Sequence, residues 1–168
     1  MPIEVLRIDD RLVHGQVIEG WLKNITISQI IVASDKLAKD KMQQVLLSMA
    51  IPKCTELKIL NVNDAVKYLL EHNTTENKIL VLVSDPKDAL SLLEGGVDVK
   101  SINVGGMHFT AGKRQLLKNM SVDDDDIMNL NKIMGMGIEL ESRILPFDDR
   151  KNIAPVVEEE MRQIIKKG

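Results

Sequence analysis

Cysteine is nearly absent. Cys54 stands alone among 168 residues, so no internal disulfide can form. Aromatic side chains are almost as scarce, at 2%, which removes the stacking platforms that hold bases and sugars. An excess of positive charge is also missing. The net charge of -3 argues against a dedicated nucleic-acid binder, which carries a basic excess. No apolar run approaches the roughly 18 residues of a membrane span. The N-terminus has no basic-then-apolar targeting pattern. Together with the lone thiol, this points to a reducing, cytoplasmic setting. What is present is a 44% hydrophobic content, enough for a real core in one domain spanning residues 1–168. Its volume comes from Ile, Leu, Val and Met.

Strand and helix patterns alternate along the chain. "IEVLRI" within residues 2–9 reads as a strand, followed by helical spacing at Val17, Ile18, Trp21, Leu22 and Ile25. "QIIVAS" (29–34) reads as a strand buried on both faces. Asp35 offers an N-cap, Met42, Val45, Leu46 and Met49 form a helical stripe, and Pro52 closes that helix. "ELKILN" (56–61) precedes an amphipathic helix carrying Val62, Ala65, Val66, Leu69 and Leu70. "KILVLVS" (78–84) is the clearest buried strand, and "DPKDALSLLEGG" has the Pro-first, Gly-last asymmetry of a helix. "SINVGG" (101–106) is a strand running into a glycine turn, and residues 114–122 form a strand or an extended segment. Ile127, Leu130, Ile133 and Met134 mark another helix. "IELESRILP" alternates like a half-exposed strand at a sheet edge, and a last helix runs from Ala154 to Lys166. The expectation is an α/β domain: an open, mainly parallel sheet, helices on both faces, and an antiparallel edge strand near the C-terminus.

In such sheets ligands bind beyond the carboxyl ends of the strands. Four loops qualify, starting near Asp9, Ser34, Ser84 and Gly105. The first is the richest, with Asp9, Asp10, Arg11, His14 and Gln16 inside eight residues and then a helix. A helix start presents free N–H groups and a positive dipole end, so a phosphate is its natural guest. Arg11 adds a permanent fork of donors. Neutral His14 is the nearby nucleophile, and Gly15 leaves room for close approach. The set suggests a histidine that attacks a phosphoryl group and holds it. Residue types alone also allow His14 as part of the buried helix face and Arg11 as an ion-pair partner of Asp9 or Asp10.

"RIDDRLVHGQVIEGW" resembles the active-site segment of the enzyme IIB component of the mannose/sorbose-type sugar phosphotransferase system. "IIVASDKLAKDKMQQVLLSMAIP", "VLVSDPKDALSLLEGGV" and "INVGGMHFTAGKRQ" resemble later stretches of that family, in the same order. The likeness extends to about Arg150. It implies a cytoplasmic phosphocarrier, peripheral to a membrane transport complex. His14 accepts a phosphoryl group from a IIA protein and passes it to a sugar presented by membrane IIC and IID partners. Nδ1 is the family's phosphorylated nitrogen. On this resemblance Arg11 stabilises the phosphoryl oxygens, and Asp10 orients the loop or holds the imidazole tautomer. Leu12, Val13, Gly15 and Gln16 offer phosphate donors. The IIA protein is expected as a separate chain, docking at the rim of the His14 loop through Lys and Arg residues. No metal, other cofactor or nucleic acid is implied.

Gly105, Gly106, His108, Ser84 and Asp35 are possible site-lining residues, from the loops that follow other strands. Asp85 and Asp35 also read as helix caps. His72 suits a helix C-terminus. "DDDD" (123–126) reads as a cap with first-turn charge, not a calcium loop. The nine methionines read as core filler. Two rival readings remain. A nucleotide- or anion-binding module would need a glycine-rich phosphate loop after the first strand, and none is present. A regulatory domain with an acceptor aspartate would use the Asp9–Asp10 pair but leave Arg11 and His14 idle.

Overall fold

In the computed structural model, residues 2–168 are described, and Met1, the first residue of the expected domain, lies outside them. Seven strands form one sheet in the order β3-β2-β4-β1-β5-β8-β9. They are β1 (Ile3–Asp9), β2 (Gln29–Ala33), β3 (Glu56–Leu60), β4 (Ile79–Val83), β5 (Ser101–Gly106), β8 (Glu139–Ser142) and β9 (Lys151–Asn152). All neighbours are parallel except β9, which runs antiparallel to β8 at the edge. β2 and β4 are buried at every residue, as continuous Ile/Leu/Val runs require between two helical layers. The four strands β2, β4, β1 and β5 stand side by side. Their carboxyl ends therefore bring the four candidate loops together.

The helices are capped as their sequences direct. Helix α3 (Val62–Glu71) starts at Asn61, whose side chain accepts from Asp64 N–H. Helix α4 (Pro86–Glu94) starts at Asp85, which accepts from Asp88 N–H. Asp123 and Asp126 close a reciprocal capping box on α5 (Asp124–Gly135). The terminal helix α6 covers Ala154–Lys167. The larger core packs Leu6 and Ile8 of β1 with α3 to α6, and a smaller one gathers Val13, Val17, Ile30, Val32, Leu80 and Leu82 on the opposite face.

Two local readings are corrected and one left open is resolved. The antiparallel edge strand is β9, not "IELESRILP": within that segment β8 is one strand inward, and Glu141 is buried. The alternation misleads because Arg143 grips the Glu141 carboxylate, so a charge sits where exposure was expected. The single helix expected after Asp35 is two: α1 (Asp35–Ala38), capped by Ser34, and α2 (Lys41–Ala50), capped by Asp40. The α2 stripe does not enter the core, and Met42 and Met49 stand largely exposed. Residues 114–122 form a hairpin, β6 (Arg114–Leu117) with β7 (Met120–Val122), outside the main sheet.

Candidate active site

The site begins inside β1. Arg7 and Asp9 lie two residues apart and so point to one face of the strand, opposite Leu6 and Ile8. Both are fully buried. Arg7 Nη1 donates to Asn103 Oδ1 (2.6 Å) and to the Arg143 carbonyl (2.9 Å), and Nη2 donates to Asp9 Oδ2 (3.2 Å). Asn103, in register with both Arg7 and Glu141, donates onward to Glu141 Oε1 (3.1 Å). The guanidinium groups of Arg7 and Arg143 each lie over the Trp21 ring, at 5.0 and 5.3 Å. Such buried charges persist only when nearly every donor and acceptor is matched. Gly105 makes the room: a Cβ there would sit 1.9 Å from Arg7 Cζ.

Asp9 delivers this network to the loop. Its Oδ2 lies 2.8 Å from His14 Nε2, and its Oδ1 accepts from Arg11 N–H (3.1 Å). Burial pushes the Asp9 carboxyl up, but the His14 hydrogen bond and charge, the Arg11 amide and Arg7 outweigh it and leave it below its ordinary value. Asp9 is therefore a carboxylate, which only accepts. Nε2 must carry the proton. In neutral His14 the lone pair is then on Nδ1, which faces the helix start and lies 3.3 Å from Gln16 N–H. The geometry corrects one expectation: the imidazole partner is Asp9, not Asp10. Asp10 instead accepts from His108 N–H (2.7 Å) and lies 2.5 Å from His108 Nδ1, tying the loop after β5 to the His14 loop.

The loop itself is tightly wound. Leu12 has φ +56, a left-handed conformation that is costly outside glycine. Its N–H donates to the Asp9 carbonyl (2.9 Å), so Leu12 is spent in the turn and is corrected as a phosphate donor. Val13 is buried and anchors the loop in the smaller core. A Cβ at Gly15 would meet nothing within 4 Å, so this face of the helix start is open. The helix continues as a π-helical stretch, Val17–Leu22, with Ile18 N–H bonded to the His14 carbonyl (3.1 Å). Arg11, partly exposed, reaches Gln16 Oε1 with Nη2 (2.9 Å).

Two cavities meet at Arg11. One, about 330 Å³, is lined by Arg11, Gln16, Gly105, Gly106 and His108. The other, about 460 Å³, is lined by Asp10, Arg11, Leu12 and Ser84, with Asp40 and Leu47. Asp35 lines neither, which corrects its place among the site residues: its Oδ1 accepts from Val62 N–H (2.9 Å) at the start of α3. The acceptor-aspartate reading fails at Asp9, which has no exposed surface and whose oxygens three neighbours hold, and at Asp10 both oxygens are engaged by His108. Among the described residues no group of His, Cys, Asp and Glu could hold a metal ion, and no helix is long and apolar enough to cross a membrane.

The residues missed from sequence are Arg7, Asn103, Glu141 and Arg143, and Asp9 was not given its role. One signal is there: an Arg–x–Asp pair continues the apolar Ile3 and Val5 face of β1, where a charge has no bland place to go.

Comparison with known proteins places these features in company. The family described as "PTS system sorbose subfamily IIB component" matches residues 3–167. The mannose-specific EIIAB component of Escherichia coli K12 is 36% identical over 157 residues, 94% of this chain and 49% of that protein. The chain thus spans about half the length of that relative. The fructose-specific EIIB component of Bacillus subtilis is 34% identical over 157 residues, 94% of this chain and 96% of that one. The crystal structure of the IIBSor domain of the Klebsiella pneumoniae sorbose permease superposes with a TM-score of 0.88 at 31% identity, covering 95% and 98% of the two chains.

Proposed function

The chain belongs to the sorbose-subfamily IIB components of the sugar phosphotransferase system, and on that premise we propose that His14 is its phosphoryl carrier and Nδ1 the nitrogen that carries the group. The observation that supports this most is the Asp9–His14 hydrogen bond. It fixes the proton on Nε2 and leaves the Nδ1 lone pair at the open start of a helix.

The chemistry follows from that arrangement. A phosphohistidine on a IIA partner presents its phosphorus in line with Nδ1. The Nδ1–P bond forms as the donor's N–P bond breaks, and the donor nitrogen recovers its lone pair. The His14 ring gains positive character, which the buried Asp9 carboxylate stabilises. On this reading Arg11 and the N–H groups of Val13, Gly15 and Gln16 hold the phosphoryl oxygens, Gln16 N–H turning from Nδ1 as the group arrives, so the loop supplies positioning and charge, the main needs of phosphoryl transfer. Asp10 is turned toward His108, which keeps its charge off the phosphate. In the second step a sugar hydroxyl oxygen attacks the phosphorus and gives up its proton to solvent, the Nδ1–P bond breaks with Nδ1 recovering its lone pair, and the sugar leaves as its phosphate. The sugar is presented by membrane IIC and IID components, which this protein meets from the cytoplasmic side.

The test is intact mass after incubation with phosphoenolpyruvate, the general phosphotransferase proteins and a mannose-type IIA protein. Wild type gains one acid-labile phosphoryl group and His14→Ala gains none, while its fold is retained. A phosphorylated His14→Ala protein would place the carrier elsewhere.

A further inference from the structure

Helix α2 turns four large apolar side chains to solvent: Met42, Val45, Leu46 and Met49 are 74%, 59%, 53% and 78% exposed. Their spacing puts them in one stripe. No residue of α2 is buried. An exposed apolar stripe of this kind marks an interaction surface. It is continuous with the site, because Asp40, Gln43 and Leu47 of the same region line the cavity that holds Asp10, Arg11 and Leu12. Its surroundings are basic. Lys36, Lys39, Lys41 and Lys53 flank it along the chain against Asp35 and Asp40, in a chain of net charge -3.

We propose that this stripe is the docking face for the phosphoryl-donor protein, whose matching surface is apolar with a carboxylate-rich rim. The inference rests on the carrier reading of His14. Charge selects the donor over the membrane components, whose cytoplasmic loops carry an excess of Lys and Arg and would be repelled. A second copy would set these lysines against each other. One ten-residue helix is also well short of the roughly 800 Å² per partner that a stable dimer buries. The exposed methionines suit a partner that must arrive and leave at every turnover, since flexible thioether chains repack readily.

The test compares two donors on wild type and on Met42→Gln/Met49→Gln, a change confined to exposed positions. The first donor is a phosphorylated mannose-type IIA protein, and the second is phosphoramidate, which is too small to use the stripe. The expected result is a KM for the protein donor raised about tenfold, the loss of about 1.4 kcal/mol of docking. The kcat and the rate with phosphoramidate stay unchanged. An unchanged KM overturns the proposal. So does an equal loss with phosphoramidate, which would mean damage to the site. So does an effect limited to self-association in sedimentation, or to binding of phosphatidylglycerol vesicles, because the stripe would then belong to a second copy or to lipid. If the phosphorylated IIA protein leaves wild-type His14 unmodified, the carrier reading itself falls and takes the docking face with it.

Discussion

Asp9 is the residue on which the site turns, because it joins a buried cation to a surface imidazole. Replacing it with Asn keeps the shape but leaves Arg7 charged and unpaired in the interior. Asp9→Asn should therefore cost about 3 kcal/mol of stability at pH 7 and slow phosphorylation of His14. The sign of its pH dependence follows from the direction of its shift. The folded-state value lies below the ordinary 3.8, so the stabilisation is complete above about pH 4 and is lost as pH falls through the folded value. Urea unfolding of both proteins from pH 7 to pH 2 should show the gap closing only at the acid end. Gly105→Ala attacks the same ion pair from the other side. Its Cβ would overlap the Arg7 guanidinium, and a loss of about 3 kcal/mol is expected from displacing a buried charge, read from urea midpoints. Sequence exposed the types at this site but not their pairing. Asp9 and Asp10 are adjacent, and successive residues at a strand end point in opposite directions. Which carboxylate meets His14 depends on where β1 stops, and no local pattern fixes that.

At the scale of elements, the start of α4 is held less comfortably than its caps suggest. Burial first, then the charges of Asp85 and Asp35, raise the Asp88 carboxyl to about 6. Below its ordinary 3.8 it is protonated in both states. As pH rises through 6 the folded state must carry an unwelcome charge that the unfolded chain holds freely, so stability falls across that window. Asp88→Asn should stabilise the protein at pH 8, on the order of 1 kcal/mol after allowing for solvent screening, and change little at pH 4. Paired denaturation curves at the two pH values check this, and equal effects at both would refute it. The elements that read cleanly, β2, β4, α4 and α5, are those whose signals are local: unbroken apolar runs, Asp-Pro, and a capping box. The misread ones depend on partners far along the chain. Glu141 looks exposed until Asn103 of β5 is placed beside it. The α2 stripe shows helical period, but a period does not say whether an apolar face meets the core or another protein.

The whole molecule gathers the carboxyl ends of β2, β4, β1 and β5 around one loop. The alternation of strands and helices is enough to predict the parallel sheet that the structure has, and the strand ends are where a candidate site is then sought. The strand order was not legible, because pairing is non-local. The buried Arg7–Asn103–Glu141 row across β1, β5 and β8 was hidden for the same reason. That row fixes Asp9, Asp9 fixes the tautomer of His14, and the tautomer decides which nitrogen is nucleophilic. The most direct test is long-range ¹H–¹⁵N correlation of the imidazole in ¹⁵N-histidine protein, before and after phosphorylation by the IIA protein. The account predicts a proton on Nε2 in the neutral resting state and phosphorus on Nδ1 of His14 afterwards. Phosphorus on Nε2, or a resting proton on Nδ1, would contradict it.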